Sequence, residues 1–139
     1  MASVLKEILI EADPSDVWAV IGEFASAPLR MAPGFVTATR LDEPTVRVVT
    51  FADGTVARER LVALDNEARR LAYSVVGDTL RPTHNNASMQ VFAHGAGHSR
   101  FVWIHDVQPD DLATSIAAAM DHGLGLFKHT LETGVRSSR

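Results

Sequence analysis

The apolar positions in the last quarter of the chain recur with helical spacing. Leu112, Ile116, Met120, Gly123, Leu124, Phe127 and Leu131 fall three or four residues apart between Pro109 and Val135, with polar residues between them. That period predicts one long amphipathic helix, with Asp110 and Asp111 as its N-cap and acidic first turn. At about 1.5 Å rise per residue it is roughly 39 Å long, enough to cross a small domain. Ala113, Ala117, Ala118 and Ala119 keep part of it slim. Gly123 and Gly125 each cost about 1 kcal/mol against alanine in a helix, so the close approach of another backbone or of a ligand is expected there.

Upstream the period shortens to two. Val4 to Ala12 reads as a strand, with Val4, Ile8 and Ile10 set against Lys6, Glu7 and Glu11. Asp13-Pro14 then supplies an N-cap acceptor and a proline at the first helical position, with Val17, Trp18, Ile21 and Phe24 on one face. Ala27-Pro28 and Ala32-Pro33-Gly34 break the next segment, leaving room for one more helical turn over Glu23 to Ser26. Six further strands are predicted at Phe35 to Leu41, Val46 to Phe51, Thr55 to Leu64, Leu71 to Val76, His84 to Ala93 and Ser99 to Gln108. Asp53-Gly54 is a hairpin signal, and short turns join the others. Hairpin-length connections make the sheet antiparallel. One long helix lying in a curved sheet covers one face and leaves the ends of the groove as a cavity. Arg136 to Arg139 is expected to be a frayed tail.

Composition narrows the function. With 139 residues and 46% hydrophobic content, the chain is sized for one domain with one core. A net charge of −4 and a pI near 5.8 disfavour nucleic acid, whose phosphates require a basic face. There are no cysteines, hence no thiolate chemistry and no disulfide framework. Acids interrupt the start, and no apolar run approaches the ~18 residues of a spanning helix. A cytoplasmic protein without membrane insertion is expected, as a monomer or homodimer.

Three phrases resemble a known superfamily: ADPSDVWAVIGEFA, VRVVTFADGTVARERLVALDNEARRLAYSVV, and WIHDVQP before the last helix. In order and spacing the chain is similar to the helix-grip (SRPBCC, START-like) proteins. These include birch-pollen allergens, lipid-transfer domains, plant abscisic-acid receptors and bacterial polyketide cyclase/dehydrase-like proteins. The resemblance implies an α+β fold of about seven antiparallel strands wrapped around the C-terminal helix, with two short helices between the first and second strands. It also implies a ligand cavity and no cofactor, but not one reaction. Met31 stands where bacterial members often carry tryptophan. The hormone receptors' carboxylate-gripping lysine is missing, and their gate loop is replaced by the tight Asp53-Gly54 turn. A role as that hormone's receptor is therefore disfavoured.

Strand alternation selects the cavity face independently of the resemblance. Arg58 and Arg60 are easier to solvate than to bury, so Glu59 points inward with Ala57 and Leu61. The same logic sets Arg47, Val49 and Phe51, then Tyr73 and Val75, then Asn85 and Met89 on the inner face. Resemblance to the receptors picks out Arg47, Glu59, Tyr73 and Asn85 as well. A buried carboxylate needs a partner, and Arg47 is the obvious one. Two readings stay open for that pair, a structural ion pair or a ligand-facing group. Trp103 shares a face with Phe101, His105 and Val107, the preferred inner face of the last strand. Leu124 closes the set from the helix, while Asp121 and His122 flank it.

The six histidines invite a metal, but His94/His98 and His122/His129 lack a third close ligand, so no metal site is expected. No GxSxG elbow occurs, and Gly95-Ala96-Gly97 joins two strands rather than a strand and a helix. A mostly apolar cavity with a few polar groups suits a small hydrophobic, oxygen-bearing molecule. Either the protein only binds this ligand, or Glu59 or a nearby histidine acts as general base while Arg47, Tyr73 or Asn85 steadies an enolate oxygen, as in a cyclase or dehydratase without metal or redox cofactor.

Overall fold

The computed structural model describes the backbone of residues 1–137 and the side chains of residues 1–133. Seven strands form one antiparallel sheet: β1 (Ala2–Ile10), β2 (Val36–Glu43), β3 (Val46–Phe51), β4 (Val56–Asp65), β5 (Arg70–Asp78), β6 (His84–Ala93) and β7 (Ser99–Gln108). Their order across the sheet is β1-β7-β6-β5-β4-β3-β2. Thus β1 and β2, consecutive in the chain, lie at opposite edges. Two short helices, α1 (Pro14–Ile21) and α2 (Ala27–Met31), carry the chain between them. Register shifts in the β2/β3 and β4/β5 ladders are of the kind that bend and twist a strand. The long helix α3 (Ala113–Ser137) covers the inner face.

Four local expectations are corrected. The second helix is Ala27–Met31, not Glu23 to Ser26. Pro28 sits in its first turn, where a missing N–H costs nothing. Asp110 does not cap α3; residues Asp110–Leu112 form a 3-10 turn, and the Asp110 carboxylate pairs instead with the Met1 amino group at 3.0 Å. Helical backbone continues past Val135 to Ser137, so the frayed tail does not begin at Arg136; its last two residues, 138 and 139, lie outside the described residues. Lys6 lies on the same face of β1 as Val4 and Ile8, since alternate strand positions share a face, and its long side chain is accommodated there by reaching across to Asp121 on α3 at 3.2 Å.

The core is the space between sheet and helices. Met120, Leu124, Phe127 and Leu131 are buried along α3, the last three in one cluster with Ile10, Leu71, Met89, Val91 and Phe101 of the sheet and Val17 and Ile21 of α1. Phe101 and Phe127 are both fully buried and meet edge to face, with ring centroids 5.2 Å apart. Such pairs add about 0.5–1.5 kcal/mol beyond their burial. Trp18 donates its indole N–H to Asn66 Oδ1 at 3.0 Å, tying α1 to the β4–β5 turn. Among the described residues, no helix is long and apolar enough to cross a membrane.

Candidate functional site

The short β3–β4 hairpin sets Arg47 directly opposite Glu59 in the ladder. Alternation turns both inward, and both are buried, Arg47 to 2% and Glu59 to 8% exposure. Arg47 Nε donates to Glu59 Oε1 at 2.8 Å, and Nη1 donates to the Phe24 carbonyl at 3.0 Å. The guanidinium lies 4.4 Å from the Phe24 ring centroid and 5.0 Å from that of Tyr73. Stacking between two rings makes up part of the hydration a buried cation loses. Burial pushes the Glu59 carboxyl above the usual carboxylate range; Arg47 opposes that push, and Asp78 adds to it.

A second polar cluster lies alongside. His105 Nδ1 is 2.7 Å from Asn85 Oδ1, and its Nε2 is 3.3 Å from the Tyr73 hydroxyl. An amide oxygen only accepts, so Nδ1 carries the proton and Nε2 is the acceptor for Tyr73. Burial holds His105 neutral, down to about 4 from 6.5. Burial, reinforced by Glu59, keeps the Tyr73 phenol protonated well above its ordinary value, with Arg47 and Trp103 opposing. The Trp103 indole N–H is near enough to Tyr73 to exert that influence, yet it closes no hydrogen bond. Among the described residues, the polar side-chain atoms wholly enclosed without a partner are Trp103 Nε1 and Thr39 Oγ1.

Between sheet and helices the cavity has two lobes, of about 60 and 90 Å³. Glu59, Tyr73, Trp103, Phe35 and Phe51 line both and form the wall the two lobes share. The first lobe extends under α2, with Arg47, Val49, Met89, Met31 and Gly123 in its wall. The second runs towards the start of α3, with Val75, Asn85, His105, Asp78 and Ile116. A larger depression of about 240 Å³ lies on the other side of the sheet, among Val62, Asn86, Ser88, Ile104 and Asp106. It contains neither polar cluster as a unit.

Of the residues expected at a ligand, Arg47, Val49, Phe51, Glu59, Tyr73, Val75, Asn85, Met89 and Trp103 line one lobe or both. Leu124 lines neither. It is buried in the core cluster, because successive helix positions are turned by about 100° and the cavity falls to Gly123 instead. Asp121 is exposed and paired with Lys6. The His122 ring packs edge-on to Phe35 at 4.5 Å.

Sequence reasoning missed Phe35, Asp78 and Met31 as cavity residues and gave His105 no partner. The apolar pattern of β5 stops at Val76, whereas the strand itself continues through Asp78. The strand pattern does place His105 beside Trp103, but only the β5–β6 and β6–β7 registers, which set Ala87 opposite both Tyr73 and His105, bring Asn85 and Tyr73 to its two nitrogens. Among the described residues, no three His, Asp or Glu side chains are grouped to hold a metal ion.

Comparison with known proteins agrees with this architecture. The family model for polyketide cyclase / dehydrase and lipid transport matches residues 1–132, and the chain belongs to that family. Among solved structures it is similar to the protein XoxI from Bacillus cereus, at 24% identity with a TM-score of 0.85, covering 94% of this chain and 96% of that one. An uncharacterised protein from Bacillus thuringiensis superposes with a TM-score of 0.84 at 21% identity, covering 94% and 98% of the two chains. A Thermobifida fusca protein is 26% identical, with a TM-score of 0.72 and coverage of 92% and 91%. No curated protein matches the chain.

Proposed function

We propose that this protein binds a small, largely apolar, oxygen-bearing molecule in the two-lobed cavity, with the polar end of the ligand at Glu59, Tyr73 and Asn85. The observation that carries this reading is the wall that the two lobes share. There, buried charged and polar side chains border empty space rather than close-packed apolar neighbours. A structural ion pair has no need of a cavity beside it, and packed interiors rarely leave voids larger than a water. The ion pair is neutral overall, which favours an uncharged ligand over a carboxylate. An apolar cavity of ~150 Å³ takes up benzene, so lobes of about 60 and 90 Å³, which together come to about that size, suit a single ring. The membership in a family described by lipid transport as well as by cyclase and dehydrase activity supports binding of this kind. Native mass spectrometry of the protein purified from its own host tests it. A retained small molecule is expected, and its removal should lower the melting temperature.

A second reading extends the first. Burial raises the Glu59 carboxyl above its ordinary value, which makes its carboxylate a stronger base than one in water. In that role Glu59 takes a proton from a carbon beside a carbonyl. The electron pair moves to the carbonyl oxygen, steadied by the Arg47 guanidinium or the Asn85 amide. The enolate carbon then attacks a second carbonyl of the same molecule, closing the ring, and the alkoxide formed there takes the proton back from Glu59; Glu59 removes a second proton from the same carbon and returns it to the hydroxyl, which leaves as water while the carbon–carbon double bond forms. Turnover of a reactive poly-carbonyl compound, lost in Glu59→Gln, supports this extension; binding without turnover leaves the first reading alone.

A further inference from the structure

Gly123 sits in the middle of α3 and is buried, whereas Gly125 two residues on is exposed. Neither glycine has a positive φ, so backbone conformation does not require either. Helix propensity argues against both. Close packing is the usual reason for a buried helical glycine, and here it fails. A Cβ built at Gly123 would stand 3.5 and 3.8 Å from the Trp103 ring and 4.0 Å from the Met31 methyl, ordinary contact distances with no clash. Alanine would therefore fit, and what it would fill is the wall of the first lobe, which Gly123 lines together with Trp103 and Met31.

We propose that Gly123 is a specificity residue of the cavity: the side chain it lacks reserves space for a ligand against Trp103 and Met31. The inference rests on the ligand-binding reading above and adds a size limit to it. Against a lobe of about 60 Å³, one methyl group removes a large share. The helix thus keeps a weak helix former where alanine would be sterically accepted, because alanine would narrow the site. Gly125 supplies the internal control. Nothing lies within 4 Å of its Cβ position, so alanine there changes the helix and leaves the cavity as it is.

The test compares wild type, Gly123→Ala and Gly125→Ala by thermal melting and by titration with phenol and 4-methylphenol, which differ by one methyl group. Both substitutions should raise the melting temperature. Gly123→Ala should weaken 4-methylphenol at least fivefold while phenol stays within twofold; Gly125→Ala should change neither affinity by more than twofold. Unchanged 4-methylphenol affinity in Gly123→Ala, equal losses for both probes, or the same loss in Gly125→Ala overturns the inference and leaves the binding reading standing. A Gly123→Ala protein that melts lower or does not fold makes Gly123 a packing residue and overturns it too. Wild type that binds phenol but not 4-methylphenol puts the size limit elsewhere and likewise overturns it. Failure of wild type to bind either probe sinks the ligand-binding reading itself.

Discussion

Arg47 and Glu59 face each other across the β3–β4 ladder and join at 2.8 Å beneath the rings of Phe24 and Tyr73. Desolvation makes such a pair sensitive to the loss of one member. Arg47→Met or Glu59→Leu alone should destabilise by about 3–5 kcal/mol, since each strands a buried charge or forces its neutralisation. The double substitution should cost less than the sum. Urea denaturation of the four proteins measures the coupling; additive losses would mean that the two charges do not act as a pair.

Glu59→Gln keeps the shape of the side chain and can still accept from Arg47, but it cannot take a proton. For an uncharged ligand such as phenol the affinity should stay within about threefold, under ~0.7 kcal/mol. Any cyclisation or dehydration should disappear. Calorimetric titration and product analysis separate the two effects.

His105 makes stability depend on pH. Its folded pKa is lowered to about 4 from 6.5, so below pH 6.5 the unfolded chain binds a proton that the folded one does not. Stability is therefore lost as pH falls from 6.5 to about 4, reaching about 3 kcal/mol at the acid end if the whole shift is realised. Glu59 acts in the opposite sense, since its raised pKa makes the folded form the tighter proton binder above 4.5. Comparing wild type with His105→Gln leaves the Glu59 contribution in both and isolates the histidine. The variant should show a flatter acid limb in denaturation midpoints between pH 6.5 and 4. Parallel limbs would show that the imidazole is not held neutral.

Phe127 is fully buried against Phe101 in the face that α3 turns to the sheet. Phe127→Ala should cost about 3–5 kcal/mol in chemical denaturation. A loss below about 1 kcal/mol would place the ring outside the core.

The strands and the long helix were legible because each has a period that its neighbours do not disturb. Two adjacent arginines, Arg58 and Arg60, were enough to send Glu59 inward. What the pattern could not carry was contact between elements. Leu124 and Gly123 are consecutive members of one apolar stripe, and only the angle at which α3 lies on the sheet decides which borders the cavity. His105 likewise needed the β5–β6 and β6–β7 registers before Asn85 and Tyr73 could be seen as its partners. Pro28 misled because the rule that proline breaks helices reverses in the first turn.

Three polar ties of α3 run along one flank. Asp121 meets Lys6, Lys128 Nζ donates to the Leu9 carbonyl at 2.7 Å, and Glu132 accepts from the Glu11 N–H at 2.9 Å. All three reach β1 or the residue just beyond it. On the other flank α3 meets α2 and Phe35 through the His122 ring and the space beside Gly123. Hydrogen bonds are directional, whereas apolar contacts are not. The β1 flank of the helix is therefore pinned in register, and its α2 flank is held by packing beside a void. Amide hydrogen exchange should accordingly be quicker over residues 27–36 than in β1, and a bound guest that fills the void should slow it there.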